Sequence, residues 1–343
     1  MESILVLTHV DECGAALSKA SLEGVTAGKA LASSLGASFS IGIVAVTDAS
    51  AAAATLAAAE ARLLAVAGEA YAQARFVSDA AACEALCRAA KATIVIAPGG
   101  SRFARVAAAV AHRLGGFIDT HITAISAGET VKAARCFYRQ RIEAVITRDA
   151  RPWFLLLDAG THAAFSGASA SVAVEQVPVE FPGLRTTVVG LRSPAQGTQT
   201  IRPDAQLLFV AGAGWTKKQL DGQVHSVEAG ELILGFLGKT SASLGSSKSL
   251  VDQGGEGQPV LPFLTHMNQV GQTGSTPRHP KGLSTCCHGE EPHVVGWRFI
   301  GERRAISLDP NCGWTRGKAD VVYVADAFKV MQRVNELLDG FKT

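Results

Sequence analysis

The sequence is short of aromatic residues and of charge, and it contains no run of lysine or arginine. Phe, Trp and Tyr make up 6% of its 343 residues, and Asp, Glu, Lys and Arg together 18%. The 32 basic side chains nearly balance the 30 acidic ones, leaving a formal net charge of +2. A nucleic-acid binder concentrates positive charge on one face or tail, so no nucleic-acid partner is expected. No apolar stretch approaches the roughly 20 residues that span a bilayer, which argues against an integral membrane protein. Seven cysteines are an odd and sparse set, too few for a disulfide framework. Met1-Glu2-Ser3 runs directly into the apolar Ile4 to Leu7, without the basic segment and small-residue cleavage site of a secretory signal. These last two absences together predict a cytoplasmic location.

What the chain does have is aliphatic. Hydrophobic residues reach 48%, carried by Ala, Val and Leu, which excludes a disordered protein. In the first half, strand-like and helix-like segments alternate. Ile4 to Leu7 reads as a buried parallel strand, followed by a helix from about Leu17 to Leu35 closed by Gly36. Phe39 to Val46 reads as a second strand, Ala51 to Ala74 as a long Ala-rich helix, and Thr93 to Ala97 as a third strand. A helix from about Phe103 to Leu114 ends at Gly115-Gly116. Cys83 and Cys87, four apart in an Ala-rich helical segment, read as small core residues. This rhythm predicts a doubly wound, largely parallel sheet with helices on both faces.

The pattern then changes. Thr130 to Phe137 and Arg141 to Thr147 read as a hairpin, and Trp153 to Asp158, Val172 to Val179 and Thr186 to Leu191 as further strands. With about 150 residues per domain, two domains are expected. The polar stretch from Ser193 to Thr200 is the predicted linker between domains at 1–192 and 201–343. The second domain opens with Leu207 to Gly214, a strand running into a glycine turn. A helix follows at about Glu228 to Leu237, then strands at Arg304 to Leu308 and Val321 to Val324, and a closing helix from Ala325 to about Leu338. Between them, Gly254 to Glu291 is dense in Gly, Pro, Ser, Thr and His and reads as a long functional or disordered loop.

The motifs cluster in this second half. Gly212-Ala213-Gly214 after a strand is half of a dinucleotide fingerprint, or simply a tight strand-to-helix turn; a third glycine is missing at Lys217. Gly238-Lys239-Thr240 lacks the earlier glycine of a phosphate-binding loop, where Ile233 stands. From Gln269 to Ser275, two glycines, two amides and hydroxyls converge, a donor set suited to a polar ring or a diphosphate, or to a plain turn. Cys286, Cys287, His288, His293 and Cys312 could be grouped as a metal cluster, but vicinal cysteines rarely chelate one ion, and packed thiols are the simpler reading.

Taken in order, these motifs resemble the α-subunit family of electron transfer flavoproteins over essentially the whole chain. The family's Gly-Ala-Ser-Arg-type segment and Val-Asp-x-Gly stand here as Gly245-Ser246-Ser247-Lys248 and Val251-Asp252-Gln253-Gly254. Its Gln-Val-Gly-Gln-Thr-Gly motif is unaltered at Gln269, Val270, Gly271, Gln272, Thr273 and Gly274. Counting on without a gap, the family's flavin-facing histidine falls on His293. The strand end Ala-Ile-x-x-Asp-Pro appears as Ala305 to Pro310, and the late Ala-Asp as Ala319-Asp320.

The resemblance implies two domains, each a three-layer doubly wound sheet, with the N-terminal one packing on a β subunit and the C-terminal one binding FAD. It implies an electron carrier that links a dedicated dehydrogenase to a quinone-linked acceptor, with AMP as a possible ligand of the partner β subunit. Thr273 and Gln272 are then placed at the flavin, His293 near its pyrimidine oxygens, and Lys248 over the ring in place of an arginine. Ser307, Asp309 and Asp320 fall around the adenosine half, and Ser247, Gln269, Val270, Gly271, Gly274 and Gly289 complete the implied cofactor contacts. A positive neighbour and N–H donors favour a flavin anion.

The sequence also departs from the pattern. Lys248 keeps a charge but loses the planar fork of arginine, and Ser307 replaces an asparagine. Cys286 to Pro292 replaces a small-residue turn; Pro292 removes an N–H donor, and Glu290 and Glu291 bring carboxylates toward a diphosphate. A second reading follows from these departures: a subunit that retains the fold and partner surface as a docking element without FAD.

Overall fold

The computed structural model describes residues 2–10, 16–137, 142–180, 183–190, 201–202, 205–252, 259–271, 278–287, 300–312 and 319–341, with the backbone alone at 286 and 287. Contacts divide the chain into two compact units, Met1–Leu191 and Arg192–Thr343.

The first unit is built on β1 (Ser3–His9), whose unbroken apolar run follows from burial on both faces. Ile4 and Val6 enter one core and Leu5 and Leu7 the other. On the first face lies α1 (Lys19–Leu35), started by the Ser18 hydroxyl accepting from the Ser21 N–H and ended by Gly36 in the left-handed conformation. Gly28 lets α1 approach β1 closely, since a Cβ there would stand 2.3 Å from Val6 Cγ2. β2 (Ser38–Ala45) pairs with β1 in parallel.

The long helix expected over Ala51 to Ala74 does not form. A short α2 (Ser50–Ala54) and one 3-10 turn lead to Glu60 in the left-handed region, and then to β3 (Arg62–Ala67). Leu63 and Ala65 face one core and Leu64 and Val66 the other, so burial between β2 and a later strand outweighs the helix preference of alanine. The second face is covered by α3 (Phe76–Ala90) and α4 (Ser101–Arg113), with β4 (Ile94–Pro98) between them in sequence.

Sequence reasoning passed over β5 (Phe117–Ser126), which leads into the antiparallel pair β6 (Lys132–Phe137) and β7 (Ile142–Ile146). β8 (Trp153–Leu157) returns to the parallel core, and β9 (Val174–Gln176) closes the far edge on β3. Asp119 on β5 ties this return together. It accepts from Trp153 Nε1 at 2.9 Å, Arg135 Nη1 at 3.1 Å and Arg148 Nη2 at 3.0 Å. Residues 186–190, read as a strand from sequence, form none and lie largely in the open; Val189 is 99% exposed. The sheet order is β7-β6-β5-β8-β4-β1-β2-β3-β9.

The second unit is smaller and its sheet is parallel throughout: β10 (Leu207–Ala211), β11 (Ser243–Ser246), β12 (His279–Cys287), β13 (Ile300–Ser307) and β14 (Val321–Val324). Its order is β11-β10-β12-β13-β14. The helices α5 (Ser226–Thr240) and α7 (Ala327–Gly340) pack on the face carrying Phe209, Ala211, Leu244 and Ile306, with the short α6 (Lys248–Asp252) following β11. β12 lies inside the stretch read as loop, and it contains Pro280. Pairing with β10 begins only at Lys281, so the missing N–H of Pro280 breaks no bond to β10. Both units are therefore α/β, with helices on a largely or wholly parallel sheet.

Candidate cofactor site at the carboxyl edge of the second sheet

In a doubly wound sheet, ligands bind beyond the carboxyl ends of the strands, where the strand order reverses. In the second unit the chain moves outward from β10 to β11 and then returns past β10 to β12. The reversal therefore lies between the ends of β10 and β12. The tail of β10, Gly212 with the 3-10 turn Ala213–Thr216, forms one lip.

Trp215, fully buried, fixes this lip. Its Nε1 donates to Thr285 Oγ1 at 2.8 Å, and Thr285 Oγ1 donates in turn to the Val210 carbonyl at 3.2 Å. The Gly212 N–H donates to the Thr285 carbonyl at 2.9 Å. The Trp215 ring packs on Phe328 of α7 with centroids 4.6 Å apart. One side chain thus joins the β10 turn, the end of β12 and the start of α7.

The β11 tail forms a second part. The Ser247 N–H donates to the Ala211 carbonyl at 2.9 Å, and its hydroxyl accepts from the Leu250 N–H at 3.3 Å, which starts α6. Lys248, the first residue of α6, pairs with Asp252 at 2.9 Å and keeps its side chain 43% exposed. Gln269 and Val270 run beside it: Gln269 bridges to Ser246 in parallel, and the Val270 N–H donates to the Ser246 carbonyl at 3.0 Å. Thr265 and Asn268 form a capping box just before them, and Asn268 Nδ2 donates to the Leu244 carbonyl. Gly271 has φ 122°, a conformation that needs glycine.

After β13, the buried Ser307 hydroxyl donates to the Asp309 carbonyl at 3.1 Å and accepts the Asp309 N–H at 3.2 Å, giving a tight turn. Ser247, Lys248, Gln269, Val270, Gly271, Ser307 and Asp309 thus share the carboxyl edge. Asp320 does not join them. It precedes β14, at the amino edge, where the Arg303 N–H and guanidinium hold its carboxyl at 2.7 and 2.9 Å. The Arg303 pair keeps this carboxyl below its usual range. The acid at the carboxyl end of β14 is Asp326, whose Oδ1 caps α7 through the Phe328 N–H at 2.9 Å. Gln272, Thr273, Gly274, Gly289 and His293 lie outside the described residues.

Trp215, Thr285, Ser246 and Asp326 are the edge residues that sequence reasoning left out of the site. Asp326 carries a readable signal, an N-cap residue directly before a helical run. The Trp215–Thr285 bond spans 70 positions, and no local spacing announces it. Cys312 is buried and disulfide-bonded, which removes it from the thiolate ligands a metal cluster would need. Among the described residues, no group of three or more His, Cys, Asp and Glu side chains could hold a metal.

The model of the electron transfer flavoprotein domain matches residues 6–182, just over half of the chain. The chain belongs to the electron transfer flavoprotein family. No curated protein matches it significantly. Among the described residues of this family member, no helix is long and apolar enough to cross a membrane.

Proposed function

We propose that this chain is the α-type subunit of an electron transfer flavoprotein, pairing with a β-type subunit and holding one FAD at the carboxyl edge of its second sheet. The observation that carries this reading is that Ser247, Lys248, Gln269, Val270 and Gly271 stand together at the carboxyl end of β11, beside the β10 lip. The donor set suits a dinucleotide. It combines hydroxyls, an amide, a glycine-permitted backbone and one cation, and among the described residues of the β10 and β11 lips the carboxylate is Asp252, paired with Lys248. FAD held there by Ser247, Lys248, Gln269, Val270 and Gly271 would supply the electron chemistry between a flavoprotein dehydrogenase and a quinone-linked acceptor.

The chain's own residues bind and orient. Trp215 and Thr285 hold the β10 lip rigid, so that backbone N–H groups of Gly212 to Thr216 keep fixed directions. Lys248 places an ammonium at this edge as a hydrogen-bond donor, its charge offset by Asp252 at 2.9 Å. Ser307 and Asp309 hold the turn next to the adenosine side, and Asp326 stands at the same edge. His293, Gln272 and Thr273 are the remaining proposed flavin contacts, on the resemblance of their motif.

The test is co-expression with the β-type subunit. A yellow heterodimer with near-stoichiometric FAD is the expected product. A stable colourless heterodimer would refute FAD binding and leave a docking subunit, the role that the carboxylates Glu290 and Glu291 would suit.

A further inference from the structure

Cys312 is buried and disulfide-bonded, whereas Cys83, Cys87 and Cys136 of the first unit are free thiols. The chain has seven cysteines, so the partner of Cys312 is Cys13, Cys286 or Cys287. Cys13 belongs to the first unit. Cys286 and Cys287 end β12, in the same unit as Cys312.

The sheet narrows the choice. β12 lies between β10 and β13, and Cys287 stands in register with Ser307, the last residue of β13. Beyond Ser307 the chain doubles back instead of running on. Ser307 and Asp309 bond mutually, the Asn311 N–H donates to Asp309 Oδ1 at 2.8 Å, and the Cys312 N–H donates to the Asp309 carbonyl at 3.2 Å. Cys312 then joins Leu208 and Val210 of β10 in one apolar cluster. A residue tied by its turn to the end of β13 and clustered with β10 lies across the strand between them, and that strand is β12. A disulfide requires Cα atoms about 4.4–6.8 Å apart, which is neighbour spacing.

We propose that Cys312 is joined to Cys286 or Cys287, forming a reducible staple across the carboxyl ends of β12 and β13 whose thiol state sets how firmly the second unit holds this edge. Thr285 immediately precedes these cysteines and is bonded to Trp215. The end of β12 is thus held on the β10 side by a hydrogen bond and on the β13 side by a covalent one. The staple closes a loop of about 25 residues, which restricts the unfolded chain. Opening it takes two electrons and two protons, and a dithiol reductant supplies both. One thiolate of the reductant attacks a sulfur of the bond, and the other sulfur leaves as a thiolate. The second thiol of the reductant then displaces the protein, which is left with two thiols while the reductant becomes a cyclic disulfide. This proposal is independent of FAD.

Two measurements on the full chain, purified without reductant, test it. After alkylation in denaturant and non-reducing digestion, peptide mass analysis finds Cys312 linked to the peptide that carries Cys286 and Cys287. Cys312 linked to Cys13, or alkylated as a free thiol, overturns the proposal. Dithiothreitol lowers the thermal midpoint of the second unit by about 5 °C or more. Cys312→Ser starts at the lower midpoint and does not respond to the reductant. A wild-type midpoint that ignores complete reduction, verified by alkylation of Cys312, overturns the role of the staple, and so does a Cys312→Ser midpoint that still falls with dithiothreitol. If Cys312→Ser fails to fold, the mapping and the wild-type midpoint decide.

Discussion

Trp215 is the side chain that pins the β10 turn to β12 and α7, and its contribution can be worked out before measurement. Trp215→Phe keeps a ring against Phe328 but removes the N–H that reaches Thr285 Oγ1 at 2.8 Å. A lost buried hydrogen bond costs about 1 kcal/mol. The smaller ring leaves roughly 40 Å³ unfilled in a fully buried site, adding about 1 kcal/mol at some 24 cal/mol per Å³. The expected loss is therefore about 2 kcal/mol. Thr285→Val keeps the shape and removes both the acceptor for Trp215 and the donor to the Val210 carbonyl, costing about 1–2 kcal/mol. If the Nε1–Oγ1 bond is the link, the double variant is less destabilised than the sum by about 1 kcal/mol. Urea unfolding of the second unit at constant m-value reads all four corners of this cycle. FAD affinity falls in parallel in the single variants, because the β10 lip loses its anchor. Strict additivity would refute the argument, and so would a loss below about 0.5 kcal/mol in Trp215→Phe, the range of ordinary surface changes.

Asp119→Ala leaves two guanidiniums and an indole N–H facing an empty place. Removing one partner of a fully buried pair costs about 3–5 kcal/mol, and the partly exposed Arg135 and Arg148 bring the expected loss to about 2–3 kcal/mol in unfolding of the first unit. Burial raises the Asp119 carboxyl, but the bonds from Arg148, Trp153 and Arg135 outweigh it and hold it below its ordinary value. Its stabilisation is therefore complete above the unfolded-state value of about 4 and is lost as pH falls through the lower folded-state value. The gap between wild type and Asp119→Asn narrows over that acid window; a gap independent of pH there would count against the ion pairs. Cys83 is a different test. Burial, with Asp79 adding to it, pushes its thiol up to about 12, so native protein at pH 8 holds almost no thiolate there. Iodoacetamide followed by peptide mass analysis leaves Cys83 unmodified until the protein is denatured; rapid native labelling would show an opening of the first unit.

The strands that burial makes continuous were legible in the residues alone. Ile4 to Leu7 in β1, and β4, β8 and β10, carry unbroken apolar runs, and in parallel sheets such runs mark strands covered on both faces; β14 reads the same way yet is a largely exposed edge strand. The Ala-rich stretch from Ala51 to Ala74 misled because alanine favours a helix wherever neighbours do not decide. Here four apolar residues, Leu63 to Val66, are captured by β2 and β9. β12 was hidden for the opposite reason: its His279-Pro280-Lys281-Gly282 start has little strand propensity, and its pairing with β10 and β13 imposes the conformation. Asp320 and Asp326 show the limit of motif counting. Both lie near β14, but a strand of four residues separates them, and only the strand's direction says which acid stands at the ligand edge.

Family membership and cofactor binding rest on different halves of this molecule. The match at residues 6–182 falls in the first unit, while every proposed flavin contact falls after residue 240. The second unit must therefore supply its own case, and it does so with few charges. The polar groups at the carboxyl edge of the second sheet are a turn pinned by an indole, hydroxyls at strand ends, and one lysine already paired to an aspartate. A cofactor site of this kind would act by directed hydrogen bonds more than by net charge. It follows that salt should weaken FAD binding at the proposed site little, whereas a site held mainly by Lys248 would lose affinity steeply as salt rises.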